Sequence, residues 1–133
     1  MITHLLDTGW LIRSLRNDKA YTDTLRKLGA PQLAVSWISI AELLEGVHLA
    51  RDPVAARQAL DHELTDITRL PLTEEICELY GQHRAQLRRA NQLIGQLDLL
   101  IAVTALHHGL TVLTTNPAEF QRVPGLPVIS VPF

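Results

Sequence analysis

One cysteine, Cys77, is all that the 133 residues contain, so no internal disulfide can close and a secreted scaffold stapled by bridges is excluded. A reducing cytoplasm is the compartment this predicts. Basic excess is missing as well. Twelve Lys and Arg stand against 14 Asp and Glu, and a formal charge of −2 is not the signature of a nucleic-acid binder. Contact with nucleic acid must then rest on local patches or bound cations. Long apolar runs are also absent. The most apolar stretch, Leu97 to Leu106, is broken by Asp98 and falls far short of the ~20 residues a membrane helix requires. Met1 to Leu6 carries no basic n-region and reads as a strand inside the fold, not as a signal peptide.

With 47% hydrophobic residues, the length suits one domain, 1–133, with a core of its own. Ile2 to Leu6 reads as a strand, followed by a tight turn at Asp7-Thr8-Gly9 and a helix whose apolar positions are Trp10, Leu11, Ile12 and Leu15. A short helix at Tyr21 to Leu28 ends at Gly29-Ala30-Pro31, then come a strand at Gln32 to Ser36 and a helix at Ile38 to Ala50. Two amphipathic helices follow, Val54 to Thr65 and Glu74 to Ala90, with Pro71 between them and Thr73 as N-cap of the second. The apolar helix Leu97 to His107 stops at Gly109, Leu110 to Thr114 is a strand, Asn116-Pro117 a turn, and Val128 to Val131 the last strand. Short apolar strands alternate with helices and show no strict polar alternation. A three-layer α/β architecture is predicted, with a short, mostly parallel central sheet flanked by helices.

In open sheets of this kind ligands bind beyond the carboxyl ends of the strands. Asp7 lies directly behind the first strand, where it either caps the next helix or presents its carboxylate at that edge. Glu42, in Ser39-Ile40-Ala41-Glu42-Leu43, sits early in a helix among apolar neighbours, while Glu45 one turn on faces solvent. Asp98 interrupts an otherwise apolar helix, where a buried carboxylate demands a partner or a metal unless it is a first-turn acid. Asn116 and Glu119 follow the penultimate strand. Acids drawn together from separate segments repel one another and require cations. Oxygen ligands without His or Cys clustering suit Mg²⁺, or Mn²⁺, rather than zinc, and such ions activate water against phosphodiesters. His107 and His108 are adjacent and form a helix end, not a metal pair.

The residues exclude several other acid-bearing folds. A haloacid-dehalogenase phosphatase needs Asp-x-Asp where this chain has Asp7-Thr8-Gly9. The only lysines are Lys19 and Lys27, which removes both the Gly-rich Lys signature of P-loop enzymes and the late-strand Lys of a receiver domain.

Leu6-Asp7-Thr8, Ser39-Ile40-Ala41-Glu42-Leu43 with Gly46, Asp98-Leu99-Leu100-Ile101-Ala102 and Thr114-Thr115-Asn116-Pro117-Ala118-Glu119-Phe120 together make the chain resemble the PIN-domain ribonucleases, specifically the VapC toxins of toxin–antitoxin pairs. The likeness spans essentially the whole chain. It implies Asp7 and Asp98 as principal Mg²⁺ ligands, Glu42 completing an acidic triad, and Thr8 orienting Asp7 or the substrate. In many such domains the closing segment supplies a fourth acid, usually Asp; here it offers Asn116 and the longer Glu119. The resemblance further implies an RNA substrate, a homodimer, and a VapB-like antitoxin that inserts a C-terminal segment, often with an Arg, among the carboxylates. Arg84, Arg88 and Arg89, with Arg13 and Arg16 as alternatives, are candidate phosphate contacts, although a solvated helix face is the favoured explanation of them. Two further readings stay open at this point: a PIN-like interaction module without catalysis, and a metal-dependent DNase.

Overall fold

The computed structural model describes residues 1–131; the expected domain 1–133 therefore has its last two residues outside the described ones. Five strands form one sheet: β1 (His4–Leu6), β2 (Leu33–Ser36), β3 (Thr68–Leu70), β4 (Thr111–Leu113) and β5 (Val128–Ile129). Their order is β3-β2-β1-β4-β5, and every pairing is parallel. Seven helices connect them: α1 (Thr8–Leu15), α2 (Lys19–Leu28), α3 (Trp37–Leu49), α4 (Pro53–Glu63), α5 (Glu74–Arg89), α6 (Gln96–His108) and α7 (Pro117–Phe120). No described helix is long and apolar enough to cross a membrane.

Strand periodicity builds the three layers. Successive side chains leave a strand on opposite faces. Leu5, Ala34 and Val112 accordingly join one core with Ile76, Leu87, Leu99 and Phe120. Leu6, Val35 and Leu113 join the other with Trp10, Ile40, Leu43 and Leu60. Both faces are covered, which is why the strands read as continuous apolar runs. Thr73 caps α5 through the Ile76 N–H at 3.2 Å, and Gly109 ends α6 at φ +67°, both where the sequence puts them.

The structure differs from the expected elements at four places. The segment between the two amphipathic helices contains β3, a three-residue edge strand whose Thr68 and Arg69 are exposed, so it has no apolar pattern to recognise. The last strand stops at Ile129 instead of Val131. A single helical turn, α7, follows Asn116, where Pro117 occupies the first helical position. Finally, no turn separates β1 from α1, because Asp7 itself is the N-cap. Gly9 thus lies inside α1, and its small size answers a different need: a Cβ there would land on Thr115 Oγ1.

Candidate active site

The carboxyl ends of β1, β2 and β4 deliver Asp7, Ser36 with α3 behind it, and Thr114 to one edge of the sheet. Asp7 is 4% exposed. Its Oδ1 accepts the Trp10 N–H at 2.8 Å, and its Oδ2 accepts the Thr114 hydroxyl. Thr114 Oγ1 in turn accepts the Asn116 N–H at 2.9 Å. The Thr114 proton is therefore directed onto Asp7. Burial pushes the Asp7 carboxyl above the ordinary range, the Thr114, Trp10 and Thr115 donors pull it back, and the charge of Glu42 raises it again. The capping role and the carboxylate at the strand edge thus coexist in one side chain.

Glu42 lies on α3 one and a half turns after Trp37 and is half-buried. Thr8 Oγ1 donates to Glu42 Oε1 at 2.7 Å and lies 3.0 Å from Ser39 Oγ. Thr8 therefore bonds Glu42 and not Asp7; of the two roles the resemblance implies for it, orienting Asp7 or the substrate, the first is filled by Thr114. Thr114 and Ser39 are residues of this edge that the sequence alone does not single out.

Asp98 occupies the first turn of α6 and is half-buried. Its helix is less enclosed at this end than its composition suggests, since Leu97 is exposed. Burial first, then a hydrogen bond with Glu119 of α7, then the charges of Glu119, Asp7 and Glu42, push the Asp98 carboxyl up to about 7. Asp98 thus feels three further carboxylates, each carried by a different helix or helix cap. Glu119, not Asn116, is the residue of the closing segment that reaches Asp98; the Asn116 side chain is exposed and caps nothing.

Among the described residues, no ion pair reaches Asp7, Glu42, Asp98 or Glu119. The ion pairs among the described residues are Arg13–Asp18, Arg26–Asp23 and Arg57–Asp61, all at the surface. Among the described residues, moreover, no three acidic, His or Cys side chains close into a ready-made metal cage. The acids line an open rim, and their mutual repulsion is one reason the Asp98 carboxyl is raised. A carboxylate set of this kind fits a hard divalent cation.

The candidate arginines divide. Arg84 donates to the Ile94 carbonyl at 2.9 Å and Arg122 to the Leu93 carbonyl at 2.9 Å, so both clasp the loop that leads into α6 and Asp98. Arg88 and Arg89 are exposed. Arg13 pairs with Asp18 at 3.2 Å and stacks on Tyr21. Arg16 lines an apolar groove of about 350 Å³ together with Ile12, Leu15, Leu43, Val47 and Leu60, and Glu42 closes one side of that groove.

Residues 4–126 match the PIN domain family. The chain belongs to that family. Its relatives include the tRNA(fMet)-specific endonuclease VapC of Shigella flexneri, 29% identical over 126 residues, covering 95% of this chain and 96% of that protein. Ribonuclease VapC2 of Rickettsia felis is 30% identical over 125 residues, with 92% and 93% covered. Among solved structures, DNA-bound VapBC from Salmonella typhimurium superimposes with a TM-score of 0.91 at 26% identity, covering 98% of each chain. VapBC2 from Rickettsia felis, bound to a promoter DNA fragment, gives 0.89 at 27% identity, covering 97% of this chain and 98% of that one. The three-layer parallel fold expected from the sequence is the PIN fold of these toxins. PIN-domain VapC nucleases are generally divalent-metal dependent.

Proposed function

We propose that this chain is a Mg²⁺-dependent endoribonuclease, one PIN domain that acts as the toxin of a VapBC-type pair in the cytoplasm. The observation that carries the reading is the convergence of Asp7, Glu42, Asp98 and Glu119 at one sheet edge, with no ion pair to any of them among the described residues. Asp7 and Asp98 would hold the ion, Mg²⁺ or Mn²⁺, and a bound divalent ion supplies an acidified water and charge to set against a phosphate oxygen.

The protein's own groups do the rest. Thr114, Trp10 N–H and Thr115 N–H fix Asp7 so that it needs no rearrangement to bind. Thr8 occupies Glu42 Oε1, leaving the second oxygen to orient a water or take its proton. With the ion bound Asp98 would serve as a ligand, and Glu119 beside it would be the group placed to pass a proton to the leaving oxygen. Hydrolysis by water would leave a 5′-phosphate and a 3′-hydroxyl.

The antitoxin reading draws support from the apolar groove that opens at Glu42. A helix laid along Ile12, Leu15, Leu43 and Leu60 would bring a basic side chain to the carboxylates. A homodimer is part of the same reading.

The test is cleavage of total RNA and of tRNA(fMet), the RNA named for relatives, by purified protein with Mg²⁺, with EDTA, and with Asp98→Asn. Discrete metal-dependent products lost in the variant are expected, and matched DNA oligonucleotides should stay intact. Products ending mainly in 2′,3′-cyclic phosphate, or cutting that persists in EDTA, would overturn the reading.

A further inference from the structure

The two tryptophans of the chain live in opposite settings. Trp10 is fully enclosed, whereas Trp37 is 46% exposed. Trp37 is the first residue of α3, immediately behind β2 and therefore on the same sheet edge as the carboxylates. Arg69, in the middle of the edge strand β3, places its guanidinium carbon 5.5 Å from the centre of the Trp37 ring. Arg69 is itself exposed, and among the described residues no carboxylate pairs with it. An open indole beside an unneutralised guanidinium is the pairing that receives single-stranded RNA, the ring stacking on a base and the cation meeting its phosphate.

A depression also lies beside the acids on the same helix. Ile38, Ala41, Glu42, Glu45 and Leu97 line a shallow depression of about 270 Å³, bounded by Glu42 and by the residue before Asp98. Trp37 lies one helical turn before Ala41, and about 7.5 Å along the α3 axis before Glu42. Leu97, also 46% exposed, extends the apolar floor on the far side. Arg84 and Arg122, by contrast, spend donors on the loop carbonyls of Ile94 and Leu93.

We propose that Trp37 and Arg69 form a base-stacking platform for single-stranded RNA, holding a nucleotide that flanks the phosphate presented to the acids. The proposal rests on the ribonuclease reading and names a substrate contact of that site. It also answers the charge problem. A rim of carboxylates repels RNA, so recognition needs an aromatic surface and a cation set slightly apart from it.

The experiment measures the affinity of a labelled single-stranded RNA in EDTA at low salt, and kcat and KM for its cleavage in Mg²⁺, for wild type, Trp37→Ala, Trp37→Phe and Arg69→Gln. Sedimentation of each variant is recorded alongside. Trp37→Ala should weaken binding about tenfold, with the loss carried by KM, while Trp37→Phe restores most of it. Arg69→Gln should lower the salt slope of binding by about 0.7, and RNA should quench the exposed Trp37 of wild type. Unchanged affinity and KM in Trp37→Ala would overturn the platform. So would a fall in oligomeric state in that variant, which would make this face a contact between two copies of the chain. Failure of wild type to cleave any RNA would instead overturn the ribonuclease reading, and the binding data in EDTA would still decide the platform.

Discussion

Asp7 and Asp98 stand at the same sheet edge, but the protein treats them differently. Asp7 is buried and takes hydrogen bonds from Trp10, Thr114 and Thr115, so its carboxylate is fixed in place. Asp98 is half-buried, and among the described residues its bonding partner is another carboxyl, Glu119. One acid is surrounded by donors, the other by carboxylates. The contrast separates a half of the site fixed by hydrogen bonds from a half whose charge is opposed by its neighbours.

Removing each acid is the strongest way to test that contrast. Asp7→Ala and Asp98→Asn should both lower RNA cleavage by more than about 100-fold, since each removes more than an outer contact to the ion. They should part in stability. Asp7→Ala loses an N-cap and leaves Thr114 without its acceptor, a cost of about 1–2 kcal/mol in denaturant unfolding. Asp98→Asn removes a charge that burial and Glu119 oppose, and should raise the Tm of the metal-free protein above pH 7. Equal destabilisation by both would erase the distinction.

Thr114→Val strips the donor from Asp7 without touching Asp98. Cleavage should fall about 10- to 100-fold, with Thr114→Ser restoring it, and Mg²⁺ affinity measured by calorimetry should follow the same order. Gly9→Ala attacks the same half by size. Its Cβ would push Thr115 and the Thr114 to Asn116 segment away from Asp7, costing about 1–3 kcal/mol in thermal or denaturant unfolding.

The mildest perturbation is pH. Because Asp98 titrates near 7 in the fold against an ordinary value of 3.8, the native state binds the extra proton between those values. Its stabilising effect is complete below the ordinary value and is lost as pH rises through about 7. The Tm difference between metal-free wild type and Asp98→Asn should therefore widen from pH 5 to pH 8. Saturating Mg²⁺ should flatten the wild-type dependence.

Much of this site was legible in the sequence because acids that interrupt apolar runs are conspicuous. Asp98 among Leu97, Leu99 and Leu100, and Asp7 behind Leu5 and Leu6, needed no coordinates. Glu119 was visible only as a choice against Asn116, and of the two it is Glu119 that interacts with Asp98. Thr114 was hidden because a threonine at a strand end reads as strand; its hydroxyl matters through a partner 107 residues away. Thr8 was noticed for its position beside Asp7, but the helix turns it toward Glu42. β3 escaped for the opposite reason: with Leu70 alone buried, it offers no alternation. Trp37 and Arg69 are far apart in sequence, and only strand pairing brings them together.

The most direct measurement is proton release on Mg²⁺ binding, by calorimetry at pH 7 in buffers of different ionisation enthalpy. With Asp98 near half-protonated at that pH, about 0.5 proton should leave per ion bound, and Asp98→Asn should bind weakly and release almost none. Tight Mg²⁺ binding with no proton release in wild type, unaltered by Asp98→Asn, would contradict the claim that these carboxylates are the metal site.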